Sequence, residues 1–176
     1  RMARRFNEKG SAVVDVVIAA AMIVFVILPV FSFVMEKYIL EEKKRIIRDS
    51  LDMTNISVYN ALVTGRLGQA AVDMDHADAT GIFEKMLCSN LNLGPGLVPN
   101  ENSIAEGPVE VASLEIYTGD FPAKCPNQTV ITRPSVHSAV KVPIRPVMYR
   151  ALIMSLLGKE FIDLVVHVDS EIPINK

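Results

Sequence analysis

Ser11-Ala12-Val13-Val14-Asp15-Val16-Val17-Ile18-Ala19-Ala20-Ala21-Met22-Ile23-Val24-Phe25-Val26-Ile27-Leu28-Pro29-Val30-Phe31-Ser32-Phe33-Val34-Met35 carries one ionisable residue, Asp15, and no charge from Val16 onward. As a helix rising about 1.5 Å per residue, the uncharged run covers about 30 Å, the thickness of a bilayer's hydrocarbon core. Its many β-branched residues weaken a helix in water. In lipid, every backbone N–H and C=O must find a partner within the segment, and that enforces helix. Pro29 lacks a backbone donor and its ring meets the carbonyl of Phe25, so a kink or a locally opened turn is predicted there.

Three readings of this stretch compete: a cleaved secretory signal, a plain anchor, and a processed filament-type segment. The first is disfavoured, because the run exceeds a usual signal core and ends in bulky Phe31-Ser32-Phe33-Val34-Met35 rather than a small-residue cut site. Taking Met2 as the expected start leaves a short polar leader, Ala3-Arg4-Arg5-Phe6-Asn7-Glu8-Lys9-Gly10. Basic residues flank the run on both sides, with Arg4, Arg5 and Lys9 before it and Lys37, Lys43, Lys44, Arg45 and Arg48 after it, so charge alone does not orient it.

Beyond Met35, Leu40, Ile47, Leu51, Val58 and Leu62 recur at spacings of seven and four, the pattern of one apolar stripe on a helix. Glu41 and Arg45 stand four apart with favourable signs. The helix is expected to continue to about Thr64, where Gly65 and Gly68 offer a stop.

The chain's 176 residues are 50% hydrophobic with a net charge of −2 and no Trp. That balance gives no basic field and no stacking platform for nucleic acid. Setting the apolar stretch aside leaves about 140 residues, enough for one small domain.

Within that remainder, Thr80 to Leu93 places Ile82, Phe83, Met86, Leu87 and Leu91 on one helical face, with Asp78 or Thr80 as its cap. Val109–Tyr117, Val136–Val147 and Phe161–Ile174 alternate as strands. Pro143 and Pro146 limit how centrally the middle one can lie. Gly119–Pro134 reads as an irregular surface loop. Ala151–Leu157 is apolar all round and too short to span, which leaves a buried turn or a patch meeting lipid or a neighbouring subunit. The expected fold is α+β: a long N-terminal transmembrane helix continuing into an amphipathic stalk, packed on a small antiparallel sheet head with one additional helix.

Chemistry has few candidates. No nucleophile elbow, zinc-protease motif, phosphate loop or dinucleotide fingerprint occurs, so neither an enzyme nor a cofactor is expected. Cys88 and Cys125 match no zinc spacing with His76, His137 and His167, so no metal site is expected from them. In an extracytoplasmic head a disulfide between them and a pair of buried thiols both stay open, since bonding requires Cα atoms within about 7 Å. Asp73, Asp75 and Glu84 touch an EF-hand template, but Asp78 stands at its glycine place and Ala77 at a ligand place, which favours a capping acidic turn. Asn55-Ile56-Ser57 and Asn127-Gln128-Thr129 fit the glycosylation tripeptide, a pattern common by chance.

The string Lys9-Gly10-Ser11-Ala12-Val13-Val14-Asp15 resembles the processing site of type IV prepilins, in which a basic leader ends in glycine and an acid stands fifth after the cut. With the short leader, the apolar helix and the strand-rich C-terminal part, the chain looks most like the TadE-like minor pilins or pseudopilins of tight-adherence systems, over residues 2–60 in particular. The resemblance implies a leader (1–10) removed by a membrane prepilin peptidase between Gly10 and Ser11, a transmembrane helix (11–35), a stalk (36–64) and a head (65–176). It implies an N-terminus inside and an extracytoplasmic head, at the cell surface or in a filament after assembly. Its partners would be the peptidase, other pilin subunits and the inner assembly platform, in a homo- or hetero-oligomeric filament. In that setting Asp15, a carboxylate costly to leave alone in an apolar helix, would pair with the free amine of Ser11 on the same or a neighbouring subunit. The family most often has glutamate there, one methylene longer. The alternative is an uncleaved signal-anchored protein whose extracytoplasmic head binds a ligand or partner.

Overall fold

The computed structural model describes residues 3–66 and 76–171, with side chains over 12–60, 79–156 and 158–171. One rod runs through α1 (Ala3–Met22), a π turn (Ile23–Ile27) and α2 (Leu28–Arg66). From Ser11 to Arg66 it is about 84 Å long. The local opening predicted at Pro29 takes the form of the π turn: the Leu28 N–H donates to the carbonyl of Ile23, five residues back. Widening the turn just before Pro29 relieves the crowding its ring would impose on the preceding carbonyls.

Ile47, Leu51 and Val58 are fully buried and Leu40 half-buried, as the stripe predicts. The side chain of Leu62, and Gly68 altogether, lie outside the described residues, and the helix passes through Gly65 to Arg66. The Glu41–Arg45 pair expected from spacing is replaced. Arg45 makes a forked contact with Glu42 at 2.6 and 3.0 Å, and Glu41 faces Lys37 at 3.6 Å. Hydrogen bonding to Arg45 holds the Glu42 carboxyl below its ordinary range and pushes the guanidinium up. Both groups lie in solvent, where such pairs stabilise little.

The head contains α3 (His76–Leu91), β1 (Glu110–Tyr117), β2 (Ala123–Lys124), β3 (Val130–Ile131), β4 (Ser135–Ile144), α4 (Arg150–Leu157) and β5 (Ile162–Glu171). β1, β4 and β5 form an antiparallel sheet in the order β1-β4-β5, and β2 pairs with β3 in a separate small sheet. Val140, Val142, Ile144, Val166 and Val168 face α2 and α3, where Ile47, Leu51, Val58, Phe83, Leu87 and Leu91 complete the core. The fold is therefore α+β, a long N-terminal helix against a small sheet.

Four expectations change. α3 is already under way at Asp78 and Thr80, so neither is its N-cap, and the helix crosses what would be the calcium loop; Asp73 and Asp75 lie outside the described residues. β4 is the central strand despite Pro143, and Pro146 falls beyond its end. β1 pairs with it only as far as Lys141, so the donor Pro143 lacks falls on a flank where the ladder has ended, and the Pro143 carbonyl there accepts the Glu106 N–H at 2.9 Å. The 119–134 segment is not simply surface. Its hairpin folds back over the sheet and buries Cys125 and Ile131. α4 is an exposed helix rather than a buried turn.

Candidate functional site at the junction of helix and head

Gly10 and Ser11 lie within α1, and the Ser11 side chain is outside the described residues. Asp15 is exposed, one turn beyond Ser11. Every described residue from Ala12 to Phe31 is exposed, and the head reaches this surface only at its upper end, where Tyr149 bonds the Pro29 carbonyl. Among the described residues, the helix Ala12–Asn60 is the one long and apolar enough to cross a membrane.

The head meets the rod just above that surface. Glu36 is 5% exposed although charged, because its carboxylate accepts the backbone N–H groups of Val147 and Met148 at 3.0 and 2.5 Å. Those two donors follow β4 and have no strand partner, so the carboxylate satisfies them where the sheet stops. One step further, the Tyr149 hydroxyl donates to the carbonyl of Pro29 at 2.5 Å, and its ring meets Phe33 edge-on at 6.5 Å. Lys43 bonds Glu106 at 3.0 Å, and Glu106 also accepts the Arg145 N–H at 2.9 Å. Between α2, α4 and β5 these contacts leave an open groove of about 520 Å³ whose surface is mostly apolar, from Phe33, Leu40, Tyr149, Leu152, Ile153, Ile162 and Leu164, with Glu36, Lys37, Glu41 and Lys44 of α2 also lining it.

Higher on the rod, Asn55 is fully buried. Its amide donates to the carbonyls of Val136 and Val168 at 3.2 and 3.4 Å and to the Ser170 hydroxyl at 3.0 Å, while Ser138 donates to its Oδ1 at 2.7 Å. A residue so enclosed is no glycosylation acceptor in the folded head; Asn127 is exposed.

On the sheet's other face, Glu115, His137 and Asp169 stand in one row across β1, β4 and β5. His137 Nδ1 lies 2.5 Å from Asp169 Oδ1, and the Cys125 thiol approaches Asp169 at 3.9 Å. These three are the one cluster of metal-type donors among the described residues. Donors sharing a tetrahedral zinc stand about 3.3 Å apart or more, so the close His137–Asp169 contact is hydrogen-bond geometry. With Cys125 only 2% exposed, no substrate reaches that sulfur. Beside the cluster the Tyr117 hydroxyl donates to Glu115, and burial together with that carboxylate pushes the phenol well above its ordinary range.

The disulfide left open by the sequence is not formed. Cys88 on α3 contacts the Gly94 carbonyl at 3.6 Å, and Cys125 sits under the hairpin beside Asp169, each a free thiol in its own surroundings. Burial first, and then the charge of Glu84, raises the Cys88 thiol. A raised value leaves less thiolate at any given pH. Its alkylation by maleimide should therefore be slower than that of a free thiol and should still be climbing at pH values above about 8.5, where a free thiol is half ionised.

Comparison with known family models, curated proteins and solved structures finds no match to this chain. Its long apolar N-terminal helix followed by a small sheet is compatible with a pilin-like fold and with a signal-anchored membrane protein. The sequence points to no role for Glu36 or Tyr149, and marks Asn55 only as the start of a glycosylation tripeptide. Glu36 gave one signal, an acid at the first position after a long apolar run.

Proposed function

We propose that the chain is a structural subunit, a minor pilin or pseudopilin, of a type IV pilus-like filament or its assembly machinery, cut by a prepilin peptidase after Gly10. The observation that carries this reading is a single rod whose lower half is apolar and left almost bare by its own head, while one stripe of its upper half is buried in that head. Such a lower half has its surface available to lipid first and to neighbouring rods afterwards. The site of the cut suits the chemistry. A peptidase must unwind helix to reach backbone, and glycine weakens a helix by about 1 kcal/mol relative to alanine while offering no side chain in the way. Asp15, exposed on that bare surface, is placed to meet a positive group of another chain. The structural role leaves no reaction for the head to perform.

The second reading is an uncleaved signal-anchored protein whose head binds a ligand or partner, and the apolar groove at the junction favours it. Co-expression with a prepilin peptidase, followed by N-terminal sequencing and intact mass, separates the two. The first reading expects a chain beginning at Ser11, and retention of the leader sinks it. Gly10→Ala should impair the cut. Asp15→Ala should be cut normally yet enter filaments about tenfold less, as befits an acid whose cost in an apolar setting is offset only by pairing; full incorporation would remove Asp15 from the assembly contact.

A further inference from the structure

We propose that α4, with Val147 and Met148 before it, is a second membrane contact: an interfacial helix that lies in the headgroup and upper acyl region beside the span and seats the head on the bilayer. The proposal rests on the reading of Val16–Met35 as membrane-spanning.

The segment exposes its apolar side chains. Val147, Met148, Leu152, Met154 and Leu156 are between 47% and 73% exposed, and Leu152 and Leu156, four apart on α4, share one helical face. Left in water, such a patch is an association liability.

Its height on the rod is fixed by the contacts at the junction. Glu36 holds the N–H groups of Val147 and Met148, and Tyr149 reaches down to the Pro29 carbonyl and the Phe33 ring. Pro29 lies six residues before Met35, the last residue of the uncharged run, so Tyr149 touches the rod about 9 Å below the upper limit of that run. An interfacial helix buries its apolar face by about 5–10 Å. The two depths agree, and Tyr149 is the residue type that favours this level of a membrane. Eight residues cannot span, but they can lie flat.

Charge is not the driving term. Arg145 and Arg150 are both engaged by Glu160, at 3.1 and 2.7 Å, and Lys37 by Glu41 at 3.6 Å, so apolar area carries the contact, to which exposed Lys44 and Lys159 add a smaller attraction for anionic lipid. Lipid is the occupant because the patch is continuous, through Tyr149 and Phe33, with the bare apolar surface of the span. In a subunit that leaves the membrane for a filament, this contact would have to be released on extraction.

The chain contains no tryptophan, so a single introduced one reports its own surroundings. Leu156→Trp, Phe25→Trp and Val130→Trp are to be made in the full chain and reconstituted into phosphatidylcholine vesicles carrying bromines either high on the acyl chain or near its end. Phe25 sits mid-span. Val130 is exposed on the small hairpin, at the opposite end of ten-residue β4 from α4. The expected result is that high bromines quench Leu156→Trp about as strongly as terminal bromines quench Phe25→Trp, while Val130→Trp is unaffected by either. The quenching should appear without phosphatidylglycerol, whose addition should strengthen it only slightly. Leu152→Trp, half-exposed on the same helix, repeats the measurement if Leu156→Trp folds poorly.

Quenching of Phe25→Trp with Leu156→Trp and Leu152→Trp as indifferent as Val130→Trp would overturn the interfacial contact and leave the span standing. Blue-shifted but unquenched emission from α4 would assign the patch to a second copy or another protein, and the lipid proposal would fall. An unquenched Phe25→Trp would remove the span itself, and this contact with it.

Discussion

Asn55→Ala is expected to destabilise the head by about 3 kcal/mol, the most any single polar residue on the rod should cost. The amide is fully buried where α2 crosses the sheet and joins four groups: the Val136 and Val168 carbonyls and the Ser170 and Ser138 hydroxyls. Truncation removes these bonds together and leaves Ser138, itself fully buried, with its acceptor gone. Ser170 keeps only its contact with Asp52 at 2.5 Å. A buried hydroxyl stripped of its partner costs about 1–3 kcal/mol, and two groups are affected here. Ser57→Ala is the control, since among the described residues that hydroxyl bonds to the Met53 carbonyl of its own helix at 2.8 Å and should shift stability by no more than about 0.5 kcal/mol. Thermal unfolding of the full chain in mild detergent, followed by circular dichroism, reads both. Equal midpoints for the two variants would mean that Asn55 does not hold the rod to the sheet.

What Asn55 holds together is not legible from its neighbours in the chain. Read locally, it opens a glycosylation tripeptide, and its four partners lie 81 to 115 residues away. Periodicity reports which face of an element is covered, and it served well for Leu40, Ile47, Leu51 and Val58 on α2 and for Val166 and Val168 on β5. It cannot report what covers the other face. His137 alternates outward from β4 as a surface residue would, yet is 1% exposed, because a loop of Pro, Gly and polar residues folds back over it. Proline rules failed at Pro143 for a similar reason: they assume a strand is flanked along its whole length, and β1 stops short. The apolar stretch of α4 was recognised, but its level on the rod depends on Glu36 and Tyr149, two residues from distant parts of the chain that nothing local connects. As for the processing site, Gly10, Ser11 and Asp15 are legible only as a motif, since no head residue touches Asp15 among the described contacts.

Two phenylalanines on one chain should respond in opposite ways to the same truncation, because they are solvated differently. Phe83 on α3 is fully buried in the core cluster that also holds Ile47, Leu51 and Leu87, so Phe83→Ala both forfeits transfer energy and opens a cavity, at about 3–5 kcal/mol. Phe25 is 78% exposed in the π turn and contributes nothing to the head's core, so Phe25→Ala should leave the head's unfolding midpoint within about 0.5 kcal/mol of the parent. The second loss belongs to lipid: about 2 kcal/mol of apolar transfer disappears from the span, which tells on membrane partition rather than on folding. Leu51→Ala combined with Phe83→Ala should cost less than the two separately, since both line one space that the first truncation has already opened. If Phe25→Ala lowered the head's midpoint as far as Phe83→Ala does, the bare lower rod would have to be covered by the protein itself. The division of labour along the helix, membrane or neighbour below and head above, would then have no physical basis.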